Sequence, residues 1–247
     1  MKTNELAKMH ALDKTHWWFL GRRYLLRSML PMLGKPDALI LDAGCGTGLA
    51  ASELSSLGKV VAMDVCDEVF RLKEWKTIGV PCVGSVLEIP FQDSSFDLVV
   101  ALDVLEHVSD DNMAVRELYR VCKPGGIALI TVPAYQWLWS SHDEAIGHKR
   151  RYSAALLSRC VTNAGFGVRK LSYAVSSVLV IAMAFRFARR IIGKPSGESD
   201  LAPTPHLINK VLALLMRAEA FLLRYISLPF GLSVLVIAEK PQHIEVE

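Results

Sequence analysis

Two stretches of this chain hold groups suited to chemistry. The first is Leu41–Gly48, L-D-A-G-C-G-T-G. Gly44, Gly46 and Gly48 let a backbone close on a ligand, and a helix starting after them offers free N–H groups. Asp42 stands ahead of the first glycine, separated from it by one residue. Asp64 ends the next apolar run, where a carboxylate can take ribose hydroxyls. The glycines are spaced G-x-G-x-G, not G-x-G-x-x-G as in dinucleotide binders, and no Lys-Ser or Lys-Thr pair follows as in a phosphate loop. An acid beside the loop suits a ligand with an ammonium group better than a pyrophosphate.

The second stretch is Pro133–Ser153, P-A-Y-Q-W-L-W-S-S-H-D-E-A-I-G-H-K-R-R-Y-S, with two histidines, two acids, three cations and four aromatic rings. A plain connector seldom carries so many large groups. His148 or His142 is the candidate base for an acceptor's proton. Arg150 and Arg151 could hold an acidic group on that acceptor, with Asp143 and Tyr152 beside them. The alternative is a surface loop tied down by stacking and ion pairs. His142 and His148 are not at i, i+4 and no third ligand stands out, so no metal is expected.

The elements around these stretches alternate. A-L-I-L-D, K-V-V-A-M-D, V-P-C-V-G, F-D-L-V-V-A-L and G-G-I-A-L-I-T-V read as buried strands. Helices are expected over 48–57, 68–75 and 112–122 between them, which implies a parallel sheet covered on both faces. A helix over 154–164 and a strand over 165–173 follow, and 231–240 is the last strand. Between these last two strands lie two apolar helices joined by the turn-rich G-K-P-S-G-E-S-D-L-A-P-T-P. In the second, Leu207, Val211, Leu215, Leu222 and Ile226 share a face, and Lys210, Arg217 and Arg224 form a basic stripe.

Composition bounds the reading. The 247 residues suit one domain with an insertion, and 51% hydrophobic residues is oily for a soluble protein. A net charge of +3 is too small to argue for nucleic acid. Five scattered cysteines without a C-x-x-C pair suggest neither disulfides nor zinc, and M-K-T-N-E-L-A-K-M-H has no secretory core. The expected place is a reducing cytoplasm. Leu171–Phe185 comes closest to a spanning segment and is too short to cross a bilayer.

The Leu41–Gly48 stretch resembles motif I of class I S-adenosylmethionine (SAM) methyltransferases. I-P-F-Q-D-S-S-F-D-L-V-V-A-L-D-V-L-E-H-V (Ile89–Val108) and R-V-C-K-P-G-G-I-A-L-I (Arg120–Ile130) are similar to later motifs of that family, in order and spacing. The likeness covers about residues 38–132. It implies a Rossmann-like α/β fold, a seven-stranded sheet with helices on both faces and an antiparallel last strand. It implies SAM as cofactor and S-adenosylhomocysteine as product. Carried over, Gly44, Gly46 and Gly48 form the cofactor loop, Asp42 orients the loop and the methionine end, and Asp64 binds the ribose. Leu102 and Asp103 line the methionyl side. Ser85 stands where the family often has Asp for the adenine amine, with the Val86 backbone as the other candidate. Glu106 and His107 form a pair common in the family, expected to support the cofactor pocket.

T-H-W-W-F-L-G-R-R (Thr15–Arg23) resembles a subgroup that opens with His-Trp-Trp-Phe and paired arginines. This implies a lid in which Trp17 excludes water and Arg22 pairs with the cofactor carboxylate; the plainer reading is a helix packed by its aromatics with the arginines in solvent. The expected division is a lid over 1–37, a core over 38–174 and 230–242, and a helical insertion over 175–229. The insertion could touch a membrane, wall an acceptor tunnel, join two subunits or simply cap the core. The expected activity is methyl transfer, first to a hydroxyl, on a small or lipid-linked acceptor such as a glycan or quinone-like precursor. The place is cytoplasmic, with a possible peripheral contact at the inner membrane face. A non-catalytic SAM-binding partner and an NAD-dependent oxidoreductase are the rivals. The oligomeric state is open.

Overall fold

The computed structural model describes residues 3–34, 36–71, 75–180, 183 and 204–242. The strands are β1 (Ala38–Ala43), β2 (Gly58–Asp64), β3 (Val80–Val83), β4 (Phe96–Leu102), β5 (Cys122–Pro133), β6 (Gly167–Ala174) and β7 (Ser233–Glu239). They form one seven-stranded sheet in the order β3-β2-β1-β4-β5-β7-β6. β1 to β5 are parallel; β7 runs antiparallel to both β5 and β6. The order reverses at β1, between β2 and β4, so a crevice opens beyond the carboxyl ends of β1 and β4. The glycine loop follows β1, and Asp103 to His107 follow β4.

The helices are α1 (Thr3–Leu12), α2 (Trp17–Met29), α3 (Leu49–Leu54), α4 (Asp111–Val121), α5 (Ser141–Ile146), α6 (Ala154–Asn163) and α7 (His206–Leu223). Strand residues alternate between two cores. Ile40, Leu98, Val100 and Leu129 pack with Leu25, Leu26 and Met29 of α2, Leu54 of α3 and Met216 of α7. Leu41, Val99, Ala101 and Ile130 pack on the other face with Val115 and Leu118 of α4 and Leu157 of α6. Both faces of the sheet are covered, so its strands read as unbroken apolar runs.

Two expected elements differ. Of the helix expected over 68–75, the described residues lie in 3-10 turns, Asp67–Arg71 and Trp75–Thr77, and 72–74 lie outside the described residues. The stripe Leu207, Val211, Leu215, Leu222 and Ile226 is exposed; α7 buries Leu212, Ala213, Met216, Ala220 and Leu223. Of the first helix and the linker expected in the insertion, 181–182 and 184–203 lie outside the described residues. The run Leu171–Phe185 opens as strand, its first four residues ending β6. No helix among the described residues is long and apolar enough to cross a membrane.

Candidate active site

The glycine loop takes its shape from three positive φ angles: +78° at Gly44, +50° at Gly46 and +75° at Gly48. At Gly44 a Cβ would meet Val104 Cγ2 at 2.5 Å, so only glycine fits. At Gly46 a Cβ would meet nothing within 4 Å, so there only the backbone angle selects glycine and the space over the loop is open. Gly46 donates to Asp64 Oδ2 (3.0 Å) and Cys66 to Asp64 Oδ1 (2.9 Å). Asp64 thus fixes the loop, and each of its oxygens keeps a lone pair. Asp42 is buried with Oδ2 unpartnered. Burial pushes its carboxyl up to about 7, and nearby Asp64 adds to the shift. A buried orphan carboxylate beside an open glycine loop fits a ligand with a cationic end. Ser85 and Val86 lie just past β3; the Ser85 hydroxyl accepts from Leu87 N (3.2 Å), and the Val86 side chain sits in the core.

α2 brings Arg22 to the same strand ends. His16 caps this helix: Nδ1 accepts from Trp18 N (3.3 Å), and Nε2 contacts the Thr204 hydroxyl at 3.1 Å. Trp17 and Trp18 meet edge-on at 5.8 Å and pack on the core. Arg22 is not in solvent but buried. It pairs with Asp103, donates to the Thr131 hydroxyl (2.8 Å) and leaves Nη1 unpartnered. Asp103 accepts from Thr131 (3.0 Å) and holds φ +58°, a costly angle for a residue with a side chain. Leu102 is half-buried beside it.

The Pro133–Ser153 stretch folds back against the end of β4. Lys149 N donates to the Glu106 carbonyl (2.7 Å) and His148 N to the Asp143 carbonyl (2.8 Å). His148 Nδ1 contacts Asp143 Oδ1 at 2.7 Å, and its Nε2 lies 3.7 Å from Glu106 Oε1. The His107 and His148 rings meet edge-to-face at 4.7 Å. Glu106 is fully buried and neither carboxylate oxygen has a hydrogen-bond partner on another residue. Burial, then the charge of Asp103, pushes it well above the usual carboxylate range. Burial and nearby His148 lower His107 to about 4. Against its own burial, Asp143 is held below the usual range by His148 and Arg151.

Several residues expected to meet an acceptor are instead braces. Arg151 is buried and clamps both Asp143 oxygens (2.7 and 3.0 Å). Tyr152 is fully buried and donates to Asp111 Oδ2 (2.8 Å). Arg150 pairs with Asp111 (3.0 Å) and donates to the Ser109 carbonyl (2.6 Å). The structure therefore places these side chains in contacts within the protein, with Arg150 part-exposed, where the sequence reading expected them to face an acceptor. His142 lies half-buried on α5, and the cluster forms around His148 instead. Glu106 and His107, expected first as cofactor support, join His148 in that cluster. The E-H pair was visible in the sequence, but nothing there placed it against His148.

The comparisons with known proteins agree with this geometry. The family described as "Methyltransferase domain" matches residues 41–130. A Mycolicibacterium smegmatis protein named as an S-adenosylmethionine-dependent methyltransferase is 28% identical over 161 residues, covering 64% of this chain and 62% of that protein. A ubiquinone biosynthesis O-methyltransferase of Xanthomonas oryzae is 31% identical over 138 residues, covering 50% of this chain and 58% of that one. The chain thus spans about three fifths of the length of these curated relatives. A Haloferax volcanii protein solved with the Trm112 methyltransferase activator superposes with a TM-score of 0.64 at 18% identity, covering 97% of this chain and 96% of that one; this likeness speaks for the fold. Residues 41–130 are thus similar to a methyltransferase domain, and the Mycolicibacterium smegmatis relative is named for S-adenosylmethionine as its cofactor.

Proposed function

We propose that this chain moves the methyl group of SAM to a hydroxyl on a small or lipid-linked acceptor. The observation that carries the reading is the convergence of the glycine loop, the Arg22–Asp103 pair and the Glu106–His107–His148 cluster at the carboxyl ends of β1 and β4. In this reading Gly44, Gly46 and Gly48 cradle the cofactor and Asp64 takes the ribose hydroxyls. Ser85 and the Val86 backbone stand at the adenine. The orphan Oδ2 of Asp42 faces the loop that receives the ammonium end. Leu102 and Asp103 line the methionyl chain. The unpartnered Nη1 of Arg22 is available to the cofactor carboxylate, with Trp17 and Trp18 closing α2 over it.

Methyl transfer from a sulfonium is an in-line displacement. The acceptor oxygen forms a bond to the methyl carbon while the carbon–sulfur bond breaks and its electrons stay on sulfur. The enzyme's share is mostly alignment. Asp143 accepts from Nδ1–H of His148, which leaves the Nε2 lone pair to take the hydroxyl proton. His142 is the second candidate. The ubiquinone O-methyltransferase relative supports a quinone-like phenol as the acceptor class. The exposed ring of Trp137 stacks on Tyr135 at 5.4 Å, and Tyr135 on Tyr173 at 5.0 Å, a flat apolar platform beside β5 that suits such a ring.

Residues 1–37 would serve as the lid and 175–229 as the cover over it. α7 and the two residues after it expose Leu207, Val211, Leu214, Phe221 and Tyr225 beside Lys210, Arg217 and Arg224. This face suits an anionic bilayer surface, from which a lipid-linked acceptor would be drawn.

The test is titration calorimetry of S-adenosylhomocysteine beside NADH, on the wild type and Asp64→Ala, followed by transfer of labelled methyl from SAM to a panel of phenols and quinols. Binding of S-adenosylhomocysteine with no turnover on any acceptor, in a protein whose His148→Ala variant behaves identically, would favour a non-catalytic SAM-binding partner. Binding of NADH alone would favour the oxidoreductase.

A further inference from the structure

We propose that Glu106, His107 and His148 form a binding site for a borderline divalent metal ion, Zn2+ or a congener with the same taste for imidazole and carboxylate. Methyl transfer from a sulfonium needs no metal, so this goes beyond the function proposed above. It rests on the geometry of the cluster and not on that reading.

Among the described residues these are the one group of three such side chains whose ligand atoms lie within 4.8 Å of one another. Two histidines and one carboxylate are a ligand set that leaves coordination positions open. Glu106 Oε1 and His148 Nε2 stand 3.7 Å apart. That is too long for a hydrogen bond. It is close to the ~3.4 Å that separates two ligands held about 2.1 Å from one tetrahedral ion.

Glu106 supplies a second, independent observation. It is fully buried, neither oxygen has a hydrogen-bond partner on another residue, and the nearby cation Arg22 is taken by Asp103. A carboxylate in that state calls for a cation.

The shell behind the cluster is already built. His148 Nδ1 meets Asp143 Oδ1 at 2.7 Å, which fixes the ring and leaves Nε2 for the ion. Asp143 is itself clamped by Arg151 and accepts from the Ser140 amide (2.8 Å) at the start of α5. The link from Lys149 N to the Glu106 carbonyl holds the two segments together. His107 is half-buried at the edge of the cluster and gives the ion a way in. The ion takes the same Nε2 lone pair that would accept a proton from the acceptor. A bound ion would supply Lewis acidity at that place, with Glu106, His107 and His148 holding it.

The experiment uses the full chain stripped with a chelator. Zn2+ is titrated by calorimetry and Co2+ is followed by its visible d–d absorption. One ion per chain at micromolar affinity or tighter is expected, with a Co2+ spectrum of low coordination number. Glu106→Gln and His148→Ala should abolish the spectrum, and Asp143→Asn should weaken binding about 10–100-fold while leaving the three ligands in place. Thermal melts of each variant separate ligand loss from misfolding. Asp64→Ala should bind the ion normally while holding S-adenosylhomocysteine about 10–100-fold more weakly, so failure of the cofactor reading and failure of the metal site are seen separately. No stoichiometric binding at millimolar ion overturns the proposal. So does affinity that is unchanged in Glu106→Gln, His148→Ala and Asp143→Asn alike, which would mean an adventitious ion only.

Discussion

Asp64 already holds the Gly46 and Cys66 amides, so truncating it removes the loop's anchor as well as its own lone pairs. Asp64→Ala is expected to weaken S-adenosylhomocysteine about 10–100-fold by calorimetry, the scale of one or two hydrogen bonds to a charged group. Asp42 gives a pH signature. Its carboxyl rises from 3.8 unfolded to about 7 folded, so between those values the folded state binds the extra proton. Stability therefore falls as pH rises from about 4 to about 7 and levels off above. Asp42→Asn should remove that part of the slope in a series of melting curves. Binding of the cationic cofactor should strengthen over the same rise, as Asp42 becomes an anion. A wild type and variant with parallel profiles would sink both expectations. His148→Ala should lower kcat about 10²–10⁴-fold with little change in S-adenosylhomocysteine affinity, since it removes proton transfer and not cofactor contacts. All of these residues could be picked from the chain except Glu106 and His107 in their clustered role. A motif reports what a loop can bind, not which distant loop it will meet.

At the scale of elements, α2 and α7 work as a pair. Gly21 of α2 sits against Met216 of α7 so closely that a Cβ would lie 2.2 Å from Met216 Cε. Asn209 accepts from Trp17 N (2.7 Å) and donates to the Thr15 carbonyl (2.8 Å). Arg217 lies over the Tyr24 ring at 5.8 Å. α7 thus holds the helix that carries Arg22. Met216→Ala should cost about 2–5 kcal/mol, visible as a Tm several degrees lower. It should also weaken S-adenosylhomocysteine, because Arg22 loses its seat; unchanged affinity in a destabilised variant would separate α7 from cofactor binding. Strand and helix positions were largely legible, because apolar runs and caps are local. Asp110 accepts from Met113 N (2.9 Å) and so starts α4 one residue before the expected boundary. The 68–75 helix was misread, because the local pattern could not show that Trp75 is drawn in against Gly48 and the Phe70 ring.

For the whole molecule, the exposed apolar and basic face of α7 makes a vesicle test decisive. Co-sedimentation with anionic vesicles should exceed that with neutral ones and fall with added salt. Lys210→Ala and Arg224→Ala should each cost about 1 kcal/mol of partitioning. Equal binding to neutral vesicles, or none, would remove the membrane from the proposed function. The fold itself spans both cores and both layers of helices, so these surface changes should leave Tm almost unmoved.

The sequence alone determined the sheet's class and the glycine turn that follows β1. Each of these rests on residues adjacent in the chain or on a backbone angle that only glycine takes freely, and neighbours along a chain stay neighbours in space. Only the tertiary structure decided that Arg22 lies buried on Asp103, that Arg151 and Tyr152 are braces, and that α7 turns Leu212, Met216 and Leu223 inward rather than the Leu207 stripe. It also decided that Glu106, His107 and His148 meet. These outcomes depend on which distant surfaces close on one another. Packing settles that by burying the largest complementary area and pairing buried charge, and no stretch of sequence states it by itself.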